Sequence, residues 1–442
     1  MTLLTWINHS GFQIESKSGK KLISDPWLNS SILNNSWDLL VQSAMRPDEL
    51  GAADALWFSH EHPDHFAPGT LKQIPESQRG DIKVFYRETR DKKVINFCEK
   101  MGFQIQEMKP KTSYEIGGDP TFSFTVNEVP FYDSFFDAKV DGLRILNLND
   151  CVIKNYSNFC KHHKLNHEFD IVFVQFGYAN WTGNPDEKEK MMAASLEKLD
   201  RIYSMDRHLK PKYIALSASF TFFSNSDNFF LNQGLLPMSE VFDRVQANVG
   251  AKVISLYPGD KLDLGELPGV SEFLTQEAIK KYDSDHMRIH KRGPIHSPVK
   301  IEKEQLHADF EKFKERVLTR NSAVMIRLFQ FLRIFPKSVN ILLDDERTVE
   351  VSYYRLRETS DPWDIKMSSD MLQFIFKFDF GYDSLEAGGR FTVSNKVARA
   401  KIFMFFGVLV LNNLGMNLNA SMFFNFPFLK RVLGKIVSMR FA

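Results

Sequence analysis

The chain has 442 residues, 43% of them hydrophobic and 25% charged, with a formal net charge of +1. That is the composition of a globular protein with two domains, or one large domain with an appendage. The near-neutral balance argues against a broad nucleic-acid-binding or acidic-membrane surface.

Residues 3–7, 12–15 and 21–24 read as short strands separated by turns, the third closed by Asp25-Pro26. A fourth strand, 54–58, ends in a cluster of histidines. A short helix over 68–74 follows, then a strand at 81–86, a helix over 88–100 closed by Gly102, and a strand at 103–108. Residues 122–129 and 143–148 read as strands, the second delivering Asn149-Asp150-Cys151. After a strand at 170–175, Pro185 opens a long helix reaching about His208. A strand at 212–216, a helix over 238–248 before Gly250, and a strand at 253–256 complete an α/β layered domain ending near residue 265.

Residues 271–335 read mostly as helices broken by the polar stretch 283–298. Beyond them, a hairpin (339–343 with 349–354), a helix over 368–378, the Gly388-Gly389 turn and an apolar C-terminal helix predict a small α+β module. The expected divisions are 1–268, 269–335 and 336–442. The C-terminal module is expected as a lid or a dimer surface, with Arg390 either a structural donor or a phosphate contact. The longest apolar run, 402–411, is well short of the roughly 20 residues of a membrane span and reads as a buried helix. Forty phenylalanines point to an aromatic-rich core or an apolar cavity. The N-terminus lacks the features of a signal peptide, and three cysteines without CxxC spacing exclude a disulfide framework, so a cytoplasmic setting is expected.

The chemistry concentrates at His60-Glu61-His62-Pro63-Asp64-His65. Crowding imidazoles and carboxylates at a strand end is costly unless a cation binds there. His60, His62, Asp64 and His65 are therefore candidate ligands of a divalent metal, zinc first, with iron or manganese as alternatives. One ion needs three or four ligands, and a pair needs about six with a bridging acid. The rest must come from other strand ends: Asp150 first, then Asp133. His9 is expected to line the pocket, Asp64 to handle the proton, and Asp25 to orient a ligand histidine.

Residues 60–65 resemble the HxHxDH signature of the metallo-β-lactamase superfamily. Residues 6–12 and 23–28 resemble its branch containing L-ascorbate-6-phosphate lactonase and N-acylphosphatidylethanolamine phospholipase D. Residues 146–151, 218–224 and Tyr257-Pro258-Gly259-Asp260 are similar to CMP-N-acetylneuraminate hydroxylases and their bacterial relatives. The resemblance implies an αββα sandwich, with His60 and His62 on one metal, Asp64 and His65 on a second, and Asp150 bridging. The pattern departs from the superfamily in two respects. No histidine lies between His65 and His162, and Asp133 stands roughly where one is usual. No last ligand histidine is evident after the bridging Asp150. His162, His163 and His167 lie in a polar insertion and read as surface residues.

Two enzymatic readings follow. The first is a hydrolase directing a metal-bound hydroxide at an ester, lactone or phosphodiester. The second is an iron-dependent oxygenase of a sugar nucleotide such as CMP-sialic acid. The hydroxylase carries a Rieske cluster, for which this chain has no Cys-x-His pattern, so an oxygenase here would draw electrons from a separate protein. A third reading is a binding protein with a degenerate metal site. Expected partners are a small-molecule substrate and a second copy in a homodimer, with no nucleic acid and no membrane span.

Overall fold

Alternation along the first strands decides the architecture. The computed structural model describes residues 1–89, 91–129, 133–165, 168–413 and 415–419. In chain order the early strands are β1 (Leu3–Asn8), β2 (Gly11–Glu15), β3 (Lys21–Ser24), β4 (Trp37–Leu39), β5 (Ala55–Trp57), β6 (Lys83–Arg87) and β7 (Gln104–Met108). Within them Leu4, Trp6, Phe12, Leu22, Trp57 and Phe85 enter one apolar cluster, while Ile7, Ile23, Leu56 and Val84 enter another. Neighbouring residues thus go to opposite faces, as in a sheet covered on both sides.

The later strands are β8 (Ser113–Ile116), β9 (Asp119–Glu128), β10 (Ser134–Val140), β11 (Leu143–Asn149), β12 (Ile171–Gln175), β13 (Tyr213–Ser217), β14 (Thr221–Phe223), β15 (Lys252–Ile254) and β16 (Lys261–Asp263). Two seven-stranded sheets result, ordered β16-β1-β2-β3-β5-β6-β7 and β15-β13-β12-β11-β10-β9-β8, while β4 and β14 pair separately. Aromatic rings close the seam between the sheets. Phe12 stacks on Phe173 at 4.1 Å, and Trp57 meets Phe136 edge-on at 4.9 Å. Helices cover both outer faces: Leu71, Val94 and Ile95 lie against the first sheet, and Leu199, Ile202, Met205 and Val241 against the second. This is the αββα sandwich.

One expectation fails here. The helix Leu267–Arg292 runs through residues 283–292, where polar composition predicted a break. Tyr282, Asp285 and Ile289 are buried along one face at helical spacing, and that packing outweighs composition. Gly293, at φ +78°, ends the helix.

The C-terminal module carries β17 (Ser338–Leu342), β18 (Thr348–Ser352), β19 (Leu356–Glu358), β20 (Ile365–Lys366) and β21 (Thr392–Val393) in the order β19-β18-β17-β20-β21. The hairpin β17–β18 is the one expected from the sequence. The helix Lys396–Asn413 buries Ile402, Phe405, Phe406, Val408 and Leu409 in the module core. Among the described residues no helix is long and apolar enough to cross a membrane.

Arg390 fastens this module to the sandwich. It is fully buried and donates to Asp227, Asp370, the Ser368 hydroxyl and the Asn34 carbonyl. Beside it, Asn184 and Val393 exchange two hydrogen bonds of 2.9 Å, and Asn228 Nδ2 donates to the Gly388 carbonyl at 2.6 Å. Of the two roles open to Arg390, the structure supports the structural one.

Candidate metal centre

Strand direction brings the candidate residues together. β3 and β5 run parallel, and β1 is antiparallel to β2, which is antiparallel to β3. The C-terminal ends of β1, β3 and β5 therefore share one edge. They deliver His9, Asp25 and residues 60–65 there. In the second sheet β11 ends at the same edge, tied across by Asn147 Nδ2 donating to Ser24 Oγ at 3.1 Å, and it delivers Asp150.

The residues form two groups, His60 with His62 and Asp150, and His9 with Asp64 and His65. Within each group the ligand atoms lie within 4.8 Å of one another. In the first, His60 Nε2 lies 2.7 Å from His62 Nδ1 and 3.8 Å from Asp150 Oδ2. In the second, Asp64 Oδ2 lies 3.1 Å from His65 Nε2 and 3.4 Å from His9 Nε2. Asp150 Oδ2 also reaches 3.5 Å from His65 Nε2 and so stands between the groups. Ligands about 2.1 Å from one ion at tetrahedral or octahedral angles are roughly 3.0–3.5 Å apart, the range in which most of these pairs fall. The second group is buried, whereas His62 is exposed and Asp150 half-buried, so the first group opens to solvent.

Asp25 holds this arrangement. Fully buried, it accepts from the Ser59 amide (2.8 Å), the Ser59 hydroxyl (2.8 Å) and Asn149 Nδ2, and lies 3.0 Å from His65 Nδ1. Ser59 Oγ also meets His60 Nδ1 at 2.9 Å. With both Nδ1 atoms engaged, the Nε2 atoms of His60 and His65 turn inward. His9 (φ +46°), Asp25 (φ +39°) and Asn149 (φ +53°) all occupy the left-handed region, so backbone strain is concentrated where these side chains are aimed.

The electrostatics are those of a crowded, dry cluster. Burial pushes the His9 imidazole down and that of His60 well down, against the pull of neighbouring carboxylates. At His65 burial also disfavours charge, but Asp64, Asp150 and Asp25 overcome it and hold the group well above its ordinary range. Burial opposes charge on Asp64 and Asp150 too. The imidazoles of His65 and His9 nevertheless keep Asp64 low, and those of His60 and His65 keep Asp150 low. Both ring nitrogens of His9, Nε2 of His65 and Oδ1 of Asp150 are buried without a hydrogen-bond partner. Such atoms are costly to leave unsatisfied. Imidazole and carboxylate are the donors a divalent zinc, iron or manganese ion takes, so the residues present fit a metal.

Residues 3–193 match the beta-lactamase superfamily domain. The match takes in β1 to β12 and so both groups of candidate ligands. Divalent-metal binding is a property of that fold. The chain is 27% identical over 180 residues to the cytidine monophosphate-N-acetylneuraminic acid hydroxylase of Danio rerio, covering 39% of this chain and 29% of the relative. It is 37% identical over 100 residues to a putative Rieske 2Fe-2S iron-sulfur protein of Mycolicibacterium smegmatis, covering 23% and 18%. It is 32% identical over 85 residues to a UPF0173 metal-dependent hydrolase of a Polaromonas species, covering 18% and 29%. The chain thus spans less than a third of the length of these relatives.

Against this superfamily domain, the sequence reading placed five of the six grouped residues as ligands. The sixth, His9, was read as pocket lining. Its imidazole comes from the turn after β1 and joins Asp64 and His65, apart from the group of His60, His62 and Asp150. Asp133 lies outside both groups. Burial and the adjacent Asp150 push its carboxyl well above the usual range. Ser59 and Asn149, which help aim the histidines, were missed. Their only sequence signal is adjacency to His60 and Asp150. His162 is exposed and His163 half-buried, and His167 lies outside the described residues.

Proposed function

We propose that the chain is a metal-dependent hydrolase acting on an ester, lactone or phosphodiester. In this reading His60, His62 and Asp150 hold one divalent ion and His9, Asp64 and His65 a second, zinc in preference to iron or manganese. The observation that carries it is the place of Asp150 Oδ2, 3.8 Å from His60 Nε2 and 3.5 Å from His65 Nε2. A carboxylate between two ligand groups is the usual bridge of a two-metal hydrolytic site. Bound there, the ions supply Lewis acidity and lower the pKa of water toward about 7. The protein's part is to aim and to move protons. Asp25 and Ser59 fix the tautomers of His65 and His60, and Asp64 is the carboxylate placed to take the proton released by the attacking water. The exposed side at His62 is where substrate enters.

Protein purified without added metal is expected to carry about two divalent ions per chain. It is also expected to hydrolyse p-nitrophenyl acetate, a simple lactone or bis(p-nitrophenyl) phosphate, to lose that activity on chelation, and to regain it with zinc. Asp25→Ala is expected to weaken metal binding by about 10–100-fold, because His65 loses its orienting carboxylate. Titration of the metal-free variant tests this, and an unchanged affinity would leave Asp25 as a turn residue only.

A second reading is favoured by the likeness to cytidine monophosphate-N-acetylneuraminic acid hydroxylases. In it the centre is an iron-dependent oxygenase of a sugar nucleotide, fed electrons by a separate protein. Bound iron with substrate-dependent oxygen uptake, and no hydrolysis, would replace the hydrolase reading with this one.

A further inference from the structure

The second sheet adds a cation to the edge where the proposed ligands meet. The chain leaves that edge at Gln175, the last residue of β12, and re-enters the sheet at Tyr213 in β13. Since β12 and β13 are parallel, the helix Lys188–Leu209 between them runs back from the ligand edge. Its inner face buries Met191, Ser195, Leu199, Ile202 and Met205, and at helical spacing Lys198 belongs to the same face. Helical side chains lean toward the N-terminus of their helix, here toward the ligand edge. A lysine half-buried in that face is costly unless its charge is used.

Gln175 fixes the place of Lys198 beside the proposed centre. Lys198 Nζ donates to Gln175 Oε1, and Gln175 Nε2 donates to the Ala218 carbonyl at 3.4 Å. Ala218 N in turn donates to the His9 carbonyl at 2.7 Å. On the other side Val174 is paired with Asn149, so Gln175 follows at the level of Asp150. Burial and Arg201 push the Lys198 ammonium down to about 8, against the pull of Asp150, Glu197 and Asp133.

Lys198 is nevertheless not spent on a carboxylate. Among the described residues its one hydrogen-bond acceptor is the neutral amide of Gln175, and no acid is in ion-pair range. Arg87, which also acts on Asp133, lies 3.6 Å from Glu128, and Arg201 lies 2.7 Å from Glu197. An ammonium carries three donors, so two of those on Lys198 have no protein acceptor. A half-buried cation held by a neutral clamp at the rim of the ligand cluster is suited to an oxyanion.

We propose that Lys198 binds an anionic oxygen group of the substrate, phosphate or carboxylate, beside the bond that is cleaved. This rests on the hydrolase reading and narrows its substrates to esters, lactones or phosphodiesters that carry a further anionic group. Gln175 is the positioning residue that keeps the ammonium at the edge.

Calorimetric titration of the zinc-loaded full chain with inorganic phosphate tests the proposal, together with kinetics on mono-p-nitrophenyl adipate and p-nitrophenyl hexanoate. These two esters differ by a terminal carboxylate in place of a methyl group. Lys198→Met is expected to bind phosphate at least about tenfold more weakly, and to raise KM for the adipate about tenfold at constant kcat, with the hexanoate unaffected. Lys198→Arg is expected to retain most of both. Gln175→Leu is expected to raise KM for the adipate alone, by a smaller factor. All three variants are expected to hold as much zinc as the wild type. Equal phosphate affinity in the wild type and Lys198→Met overturns the proposal, as does a KM that rises alike for both esters. Loss of zinc from Lys198→Met also overturns it, and makes Lys198 a prop of the centre. Phosphate binding that depends on Lys198, without hydrolysis of either ester, overturns the hydrolase reading and leaves the anion site standing.

Discussion

Alanine at both His60 and His62 is expected to remove one of two metal equivalents and to lower hydrolytic turnover by about 10³-fold or more, since a two-metal site that loses one ion loses half of its charge stabilisation. Only Asp150 of the first group would remain, and one carboxylate does not hold a divalent ion against water. The same substitution has an opposite expected effect on stability. His60 Nε2 and His62 Nδ1 lie 2.7 Å apart, and burial drives the His60 imidazole well below its ordinary pKa. Relieving that crowding is expected to leave the melting temperature of metal-free protein unchanged or raised. Metal analysis and calorimetry on one preparation separate the two effects. A double variant that keeps both ions would remove these residues from the centre.

Arg390→Ala is expected to cost about 3–5 kcal/mol, the loss typical when one partner of a buried ion pair is removed. The guanidinium is fully buried between Asp227 of the sandwich and Asp370 of the module, each within 3.0 Å. Its removal leaves the half-buried carboxylates of Asp227 and Asp370 without their shared cation. Arg390→Lys keeps the charge but loses the planar fork that serves four partners at once, so it is expected to recover only part of the loss. Denaturant unfolding measures both. A change below about 1 kcal/mol for alanine would mean that the joint is held by its apolar contacts instead.

Legibility in the sequence followed distance along the chain. His60, His62, Asp64 and His65 are contiguous, and no ordinary loop needs that composition, so the centre was visible at once. Asp150 was visible because apolar strands end at a common edge. The ligand-like role of His9 was not, since it depends on β1 and β3 being parallel and on a positive φ that sequence does not announce for histidine. Residues 283–292 were misread because their polar side chains outnumber the buried positions at Asp285 and Ile289. The partners of Arg390 lie at Asn34, Asp227 and Asp370, too far apart in sequence for any spacing rule to connect.

The order in which these parts are synthesised has a consequence for metal choice. The proposed ligands all fall between His9 and Asp150, so the ribosome completes the set long before it makes Arg390. Asp150 is steadied only once β12 pairs with β11, and β12 is the next strand to emerge. A nascent chain therefore has a nearly finished ligand set while the clasping module is still unmade. If the proposed centre takes its ion at that stage, the identity of the ion is set before Arg390 joins the module to the sandwich.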